Sequence, residues 1–394
     1  MRRRAAALTL LTFLLLPLLD GCWSRQELGQ VDLVLALGID RAPGGYRLSA
    51  QVVVSPQPGI SGGGGGGGGG DSGGGGGRVL TVTQTEDTPA FSLHHMRTQL
   101  PTGPSWTHVE LIVVGEALAR SGLAPALDFM TRAIRIRDDA WLVVARGRAE
   151  AVLRARPTGN DLPARGLHRT LEQSVGQSMV PRESSVMHFL ALLDDTGIDA
   201  TAPLVLINTQ GQLQIRGLAV FRGDRMVGEL DHEATHGFNL VRGGSAHGAL
   251  AFRCGPAAGR ADSFLTITRR RSSVRPAWGA GPPEVHVDVR LRGTLDDRTC
   301  LQPLSDPAAV AAAEAQAAAA ARRDIVAAVA TGRRLGADIF AFGRELWRHW
   351  PDRWLRLPRV SRGYLPRLHL QVTTAVHFDN TGETVDPVPG GATP

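Results

Sequence analysis

The sequence predicts an α+β protein of three domains: an N-terminal domain with a mixed α/β sheet, a small middle domain, and a C-terminal antiparallel sheet packed with a long alanine-rich helix. Between residues 31 and 155, strand patterns alternate with helical patterns, which is typical of a layered α/β domain. Residues 284–291 and 368–378 each alternate apolar and polar side chains, as strands with one solvated face do. The alanine-rich stretch between them, at about 306–350, predicts the long helix.

Residues 1–21 predict a lipoprotein signal peptide. Three arginines at positions 2–4 precede an apolar run at 5–19, which is shorter than the roughly 20 residues of a membrane-spanning helix. The run ends at Leu19-Asp20-Gly21-Cys22, which resembles a bacterial lipobox. We therefore predict cleavage before Cys22 and attachment of diacylglycerol to its sulfur, with or without an N-linked acyl chain. The alternative is an ordinary secretory signal with an incidental cysteine.

The basic residues restrict the function classes. All 43 of them are arginine, and the formal net charge is +6 at pH 7. Because a phosphate-binding P-loop, a kinase core and a pyridoxal Schiff base each need a lysine, the sequence excludes all three. The arginines are scattered among carboxylates, apart from Arg269-Arg270-Arg271, which we interpret as a solvated strand end. Nucleic acid is not an expected partner of a chain outside the cytoplasm.

Residues 22–200 form the predicted N-terminal domain. Strand patterns occur at 31–39, 46–54, 78–83, 108–115 and 140–145, and helical patterns at 89–100, 116–136, 149–155, 167–177 and 184–193. The glycine-rich residues 61–77 predict a flexible insertion between two strands. A phosphate-binding glycine loop would need a helix directly after it, whereas a strand pattern follows this segment.

The second half of the chain contains the other two predicted domains. Residues 201–245 form the middle domain, a hairpin and a helix, with strands at 213–221 and 226–230 joined by a tight turn. Residues 246–385 form the C-terminal sheet and the long helix, which Asp306 and Pro307 start and Pro351 ends. Residues 386–394 form a tail. Cys254 and Cys300 are compatible either with a disulfide or with two separate thiols.

One short motif suggests enzyme chemistry. His232-Glu233-Ala234-Thr235-His236 matches H-E-x-x-H, which on a helix binds zinc through its two histidines and uses the glutamate as general base. Gly237 follows at once, however, and no glutamate occurs between His236 and Glu284 to supply a third ligand at a usual spacing. We therefore predict neither a metal site nor an enzyme, and a zinc metallopeptidase is the less favoured alternative.

Besides shorter matches at 108–116, 118–120, 129–132 and 136–137, four stretches of the chain, in order, carry a family pattern. They are Gly21-Cys22-Trp23-Ser24-Arg25-Gln26-Glu27-Leu28, then Leu37-Gly38-Ile39-Asp40, then residues 217–230, and finally Asp338-Ile339-Phe340 with Gly343, Pro351 and Trp354. The first resembles G-C-W-(D/S)-x-x-E-L, the third G-x-A-V-F-x-x-D-x-x-V-G-x-L, and the last D-I-x-x-x-G…P…W. Together they resemble the Ger(x)C family, the C-subunit lipoproteins of spore germinant receptors.

The resemblance implies a function. It implies a membrane-anchored subunit at the spore inner membrane, on the extracytoplasmic side, which takes part in nutrient-triggered germination with integral-membrane A and B subunits. It implies no catalytic residue, no metal and no cofactor other than the lipid on Cys22. From a different class, an extracytoplasmic solute-binding lipoprotein is the alternative, and it predicts a largely apolar pocket with a few fixed polar groups.

Overall fold

The computed structural model describes residues 31–54, 78–100, 102–134, 136–155, 162–253, 263–298, 306–357 and 363–380. Within these ranges the chain forms two β-sheets with helices packed against both. The predictions for Cys22, for residues 61–77, for Cys254 and Cys300 and for residues 386–394 lie outside the described residues and stay predictions.

The first sheet is mixed, as the sequence predicts for the N-terminal domain. Its strands are β1 (Val31–Ala42), β2 (Gly45–Val54), β3 (Arg78–Glu86), β4 (Gly103–Ser105), β5 (Leu111–Gly115), β6 (Trp141–Ala145), β7 (Thr201–Ile207), β8 (Leu213–Arg222) and β9 (Arg225–Leu230). They follow the order β3-β2-β1-β5-β6-β7-β8-β9, and β4 also pairs with β1. Strands β1, β5, β6 and β7 are parallel, whereas the hairpin partners on either side are antiparallel.

Helices cover both faces of this sheet. They are α1 (Pro89–Met96), α2 (Glu116–Ser121), α3 (Ala124–Ala133), α4 (Ala149–Arg154), α5 (Pro163–Gly176) and α6 (Val186–Asp194). Leu37 and Ile112 face a core shared with α1, α2, α3 and α6, and Leu35 and Val113 face a second core shared with α4 and α5. Burial on both faces explains why β5 is apolar throughout, as inner parallel strands are.

The helix predicted over 116–136 is in fact two helices. Gly122 has a φ of 119°, which interrupts the helical backbone, and Pro125 lies in the first turn of α3. Asp224, in the turn between β8 and β9, accepts hydrogen bonds from the backbone amides of Leu123 and Ala124, each at 3.0 Å. The turn between β8 and β9 therefore fixes the start of α3.

The second sheet is also mixed. Its strands are β10 (Gly248–Phe252), β11 (Ser263–Ala277), β12 (Glu284–Arg298) and β13 (His369–Asn380), in that order. The predicted antiparallel pairing is confirmed for β10–β11 and β11–β12, and it is wrong for the last strand. β12 and β13 are parallel, with Val287 opposite Val372. Apolar and polar side chains alternate along a strand in the same way whether its neighbour runs parallel or antiparallel, so the pattern does not predict the strand direction. The helices between β12 and β13 form a crossover that returns the chain to the end of the sheet where β12 begins.

In the described part of the chain, four α-helices accompany the second sheet. They are α7 (His232–Arg242), α8 (Pro307–Leu335), α9 (Phe342–His349) and α10 (Pro351–Trp354). The carboxylate of Asp306 accepts from the amide of Ala308 at 2.9 Å, as the predicted cap requires. The helix predicted over about 306–350, in which Gly332 and Gly336 are candidate positions of a kink, ends at Leu335, because Gly336 takes the left-handed conformation with φ 65° and ψ 30°. Buried alanines such as Ala317 and Ala321 let α8 pack closely on the sheet.

The segment predicted as a middle domain connects the two sheets. β7, β8 and β9 belong to the first sheet, whereas Phe238 and Leu240 of α7 belong to the core of the second. The division into three domains stays a prediction.

The three consecutive arginines lie within β11 rather than at a strand end. Arg270 donates to the carbonyl oxygens of Ser245, Asn239 and Leu240 at 2.7, 2.9 and 2.8 Å. A guanidinium satisfies the last carbonyl groups of a helix in this way, so Arg270 caps the C-terminus of α7. Burial lowers the pKa of Arg270. The prediction of a solvated cluster is therefore wrong for Arg270, while Arg269 and Arg271 are exposed.

Candidate functional site

The amino ends of the parallel strands β1, β5 and β6 lie at one edge of the first sheet, which we call the amino edge. Trp141 begins β6, and just before β5 the amide of Glu110 donates to the carbonyl of Leu35 at 2.9 Å. Val31 precedes Leu35 by four residues in β1, so it projects about 13 Å beyond that point at roughly 3.3 Å per residue.

Two segments outside the described residues connect to this edge. Residues 55–77, which contain the glycine insertion, join Val54 to Arg78, and these two residues pair at the amino edge. Cys22 precedes Val31 by nine residues, which span at most about 30 Å of extended chain. A lipid on Cys22 would therefore hold the amino edge near the bilayer. Among the described residues, no helix is long and apolar enough to cross a membrane.

A charged cavity of about 500 Å³ lies at the amino edge, and we call it the edge cavity. Its carboxylate groups are Glu110, Asp138, Asp139, Glu172 and Glu183. Its other polar groups include the guanidinium groups of Arg137 and Arg182 and the imidazoles of His168 and His188, with Trp141 on the wall. The lining residues lie in the loops that precede β5 and β6, in α5, in the loop that precedes α6, and in the first turn of α6.

Ion pairs order part of this cavity. Arg137 donates to the two carboxylate oxygens of Asp139 at 2.8 and 2.6 Å. The hydrogen bond from Arg137 lowers the pKa of Asp139 and raises that of Arg137. Burial lowers the pKa of His188, although Glu183 opposes the shift. The cavity thus presents hydrogen-bond donors and acceptors to solvent, which suits recognition of a polar partner.

Residues of the last family stretch pack together inside the protein around Tyr364, and we call this cluster of Asp338, Gly343, Trp354 and Tyr364 the joint. The carboxylate of Asp338 accepts from the backbone amides of Phe342 and Gly343 at 3.1 and 2.6 Å and from the hydroxyl of Tyr364 at 2.5 Å. A Cβ on Gly343 would lie 2.3 Å from the Tyr364 hydroxyl and 2.5 Å from the Trp354 ring. Asp338, Gly343 and Trp354 therefore meet around Tyr364, which accounts for three positions of the pattern structurally.

Asp40 of the second family stretch also has a structural role. Its carboxylate accepts from the backbone amides of Ala149 and Glu150 at 2.7 and 3.0 Å, which caps the start of α4. A Cβ on Gly115 would lie 2.0 Å from this carboxylate, so the strand approaches it closely. Asp40 and Asp338 thus each have a structural role in the fold.

The H-E-x-x-H motif lies at the start of α7. Nδ1 of His236 is 2.6 Å from a carboxylate oxygen of Asp324 in α8, while His232 and Glu233 are exposed. Within the described residues, no group of three His, Cys, Asp or Glu side chains is placed to hold a metal ion. The helix that the zinc motif needs is present, and the ring of its second histidine is oriented by the Asp324 carboxylate.

Sequence analysis did not identify the edge cavity. Its residues come from segments that are far apart in the chain, and Arg182, Glu183 and His188 form no spacing with a known chemistry. The charged residues at 137–139 just before β6 were a sequence signal for this cavity. Charged residues at the end of a strand are common on any protein surface, however, so the signal was not specific.

Comparisons with known proteins agree over most of the chain. Residues 24–207 match the family described as "Spore germination protein N-terminal domain", and residues 216–382 match "Spore germination B3/ GerAC like, C-terminal". The chain is 26% identical over 416 residues to spore germination protein KC of Bacillus subtilis (strain 168), which covers 97% of both chains. It is 25% identical over 226 residues to the putative spore germination protein YfkR of the same organism, which covers 55% of this chain and 56% of that protein.

A solved structure shares the fold. The crystal structure of the GerBC protein superposes with a TM-score of 0.56 and 16% sequence identity, over 87% of this chain and 97% of that one. This likeness shows a common architecture.

Proposed function

Since the chain belongs to the spore germination GerAC family of germinant-receptor C subunits, we propose that it is a membrane-anchored lipoprotein subunit of a spore germinant receptor. It is required for nutrient-triggered germination and acts through contact with integral-membrane A and B subunits, without catalysing a reaction. The match of both family domains, over residues 24–207 and 216–382, carries this proposal.

The lipid on Cys22 accounts for the location, the extracytoplasmic face of the spore inner membrane. One acyl chain holds a protein only marginally, whereas two or three hold it stably, since each buried CH₂ contributes about 0.8 kcal/mol. The short connection from Cys22 to Val31 keeps the amino edge near the bilayer. Membrane-embedded partners then meet this edge at a high effective concentration, so modest contacts suffice for assembly.

The edge cavity supports contact with a protein. Among the described residues that line it are five carboxylates and two guanidinium groups, so it offers charged groups of both signs. An extracytoplasmic loop of a partner subunit can offer basic and hydrogen-bonding side chains that complement both signs of charge. The amino edge is therefore the surface on which we place the partner subunits.

Replacing Cys22 tests the anchor. We expect Cys22→Ala to release the protein from the membrane fraction of spores and to slow germination with nutrient, while Cys254→Ala, which leaves the lipobox intact, stays in the membrane fraction. Deletion of the whole chain is expected to abolish or slow germination with at least one nutrient.

Two results would contradict these expectations separately. If the Cys22→Ala protein stays membrane-bound and functional, protein contacts hold it and the lipid does not. If spores without the chain germinate normally with every nutrient that triggers the parent strain, the receptor role is wrong.

A further inference from the structure

A second cavity, of about 600 Å³, lies where α7 and α8 meet the β10–β11 edge of the second sheet, and we call it the His236 cavity. The H-E-x-x-H motif provides part of its wall through His232, Glu233 and His236, and Asp324 of α8 lies beside His236. Neither the family signatures nor the proposed receptor role uses these side chains.

Close packing of two helices fixes the histidine. A Cβ on Gly237 would lie 2.0 Å from the carbonyl oxygen of Asp324, so only glycine allows α7 to approach α8 this closely. At this crossing Nδ1 of His236 is 2.6 Å from the carboxylate of Asp324. Because a carboxylate only accepts, Nδ1 carries the hydrogen, and in the neutral ring Nε2 is left with a free lone pair.

Among the described residues, that second nitrogen has no hydrogen-bond partner. The His236 side chain is 9% exposed, and Nε2 is buried without a hydrogen bond to any described residue. Buried polar atoms in proteins are nearly always paired, so an oriented imidazole with one unpaired acceptor is a polar group prepared for a donor from outside the chain.

The rest of the wall is mainly apolar. Met179, Ala249, Ala251 and Phe264 provide carbon surface, and Phe264 is 41% exposed. Gln177 and Glu233, both exposed, add polar groups. An apolar cavity with a few fixed polar groups is the usual form of a small-molecule site.

We propose that the His236 cavity binds a small, largely apolar molecule that donates one N–H or O–H hydrogen bond to Nε2 of His236. The Asp324 carboxylate holds the imidazole in the accepting tautomer, and the carbon surface around Ala251 and Phe264 covers the body of the molecule. This site is separate from the edge cavity and does not depend on the lipid anchor.

Two probes of equal shape test the hydrogen bond. Indole is a largely apolar bicyclic molecule with one N–H group, and indene has nearly the same shape but no hydrogen-bond donor. Both are titrated by calorimetry into the full-length chain in lipid nanodiscs, with empty nanodiscs as the reference. We expect indole to bind about tenfold more tightly than indene, as one buried hydrogen bond predicts. His236→Phe keeps a ring but removes Nε2, so the two affinities should become equal.

A second pair of variants locates the binding site without disturbing the helix crossing. Ala251→Trp fills the cavity from an exposed strand position and should weaken indole binding about tenfold, whereas Thr268→Trp, at an exposed position of the same sheet outside the cavity, should leave it unchanged. Equal affinity of the wild-type chain for both probes would overturn the proposal. So would indole binding that Ala251→Trp leaves intact, or no binding of either probe.

Discussion

Asp199 and Asp338 form two reciprocal hydrogen bonds. The amide of Asp199 donates to the carbonyl of Asp338 at 2.8 Å, and the amide of Asp338 donates to the Asp199 carboxylate at 2.7 Å. Asp199 leads into β7 of the first sheet, and Asp338 lies between α8 and α9 of the second core. Both residues are buried, so this pair joins the two halves of the molecule in a setting without competing water.

Removing the Asp338 carboxylate should weaken the whole fold. Asp338→Ala leaves the amides of Phe342 and Gly343 and the hydroxyl of Tyr364 without their acceptor, so we expect a loss of about 3 kcal/mol in the free energy of unfolding. Chemical denaturation of the purified chain measures it. Asp352→Ala, at an exposed position, is the control and should change stability by less than about 0.5 kcal/mol. Equal effects of the two variants would show that the joint contributes nothing.

A methyl group at Gly343 should disrupt the same joint sterically. Gly343→Ala places its Cβ against the Tyr364 hydroxyl and the Trp354 ring, and overpacking of this kind costs about 1–3 kcal/mol. Gly281→Ala is the matched control, because nothing lies within 4 Å of its Cβ position. Thermal unfolding followed by circular dichroism compares the two. If Gly343→Ala unfolds at the wild-type temperature, the close contact is not a constraint on the sequence.

The cap formed by Asp40 should depend on pH. Burial raises the pKa of Asp40 above the ordinary value of 3.8, although the amides of Glu150 and Ala149 oppose the shift. Between these two pKa values the native protein binds more protons than the unfolded chain, so the stability that Asp40 contributes is greatest below 3.8 and falls as the pH rises through the raised pKa.

Asp40→Ala tests that sign. The variant should be destabilised at every pH through loss of the cap, but by more in acid than at neutral pH. Free energies of unfolding of both proteins, measured across the acid range and subtracted, give the difference directly. A destabilisation that grows as the pH rises would mean that the ionised carboxylate is the favoured form in the native protein.

Much of the fold follows from local patterns. The strands predicted at 46–54 and 140–145 correspond to β2 and β6, the second of which begins one residue later, because apolar content and bounding turns are properties of the segments themselves. The direction of β13 and the partner of Arg270 depend instead on where distant segments pack. No spacing in the sequence predicts that Arg270 will cap α7.

The candidate sites show the same limit. The H-E-x-x-H motif is visible in the sequence, but Asp324, which makes His236 an oriented acceptor, lies 88 residues away. Asp40 likewise caps a helix 109 residues further along the chain. Side chains from unrelated segments also form the edge cavity, so its charge pattern exists only after folding.

The proposed orientation of the amino edge toward the membrane gives the last prediction. Gly103 is exposed at the amino edge beside Val31, whereas Asp87 is exposed just after β3, at the opposite edge of the same sheet. A photocrosslinking amino acid at Gly103 should therefore link the chain to an integral-membrane protein in spores, since a lipid on Cys22 keeps that edge within about 30 Å of the bilayer. The same group at Asp87 should not. Crosslinks from Asp87 alone would mean that the opposite edge meets the partners and that the amino edge faces away from them.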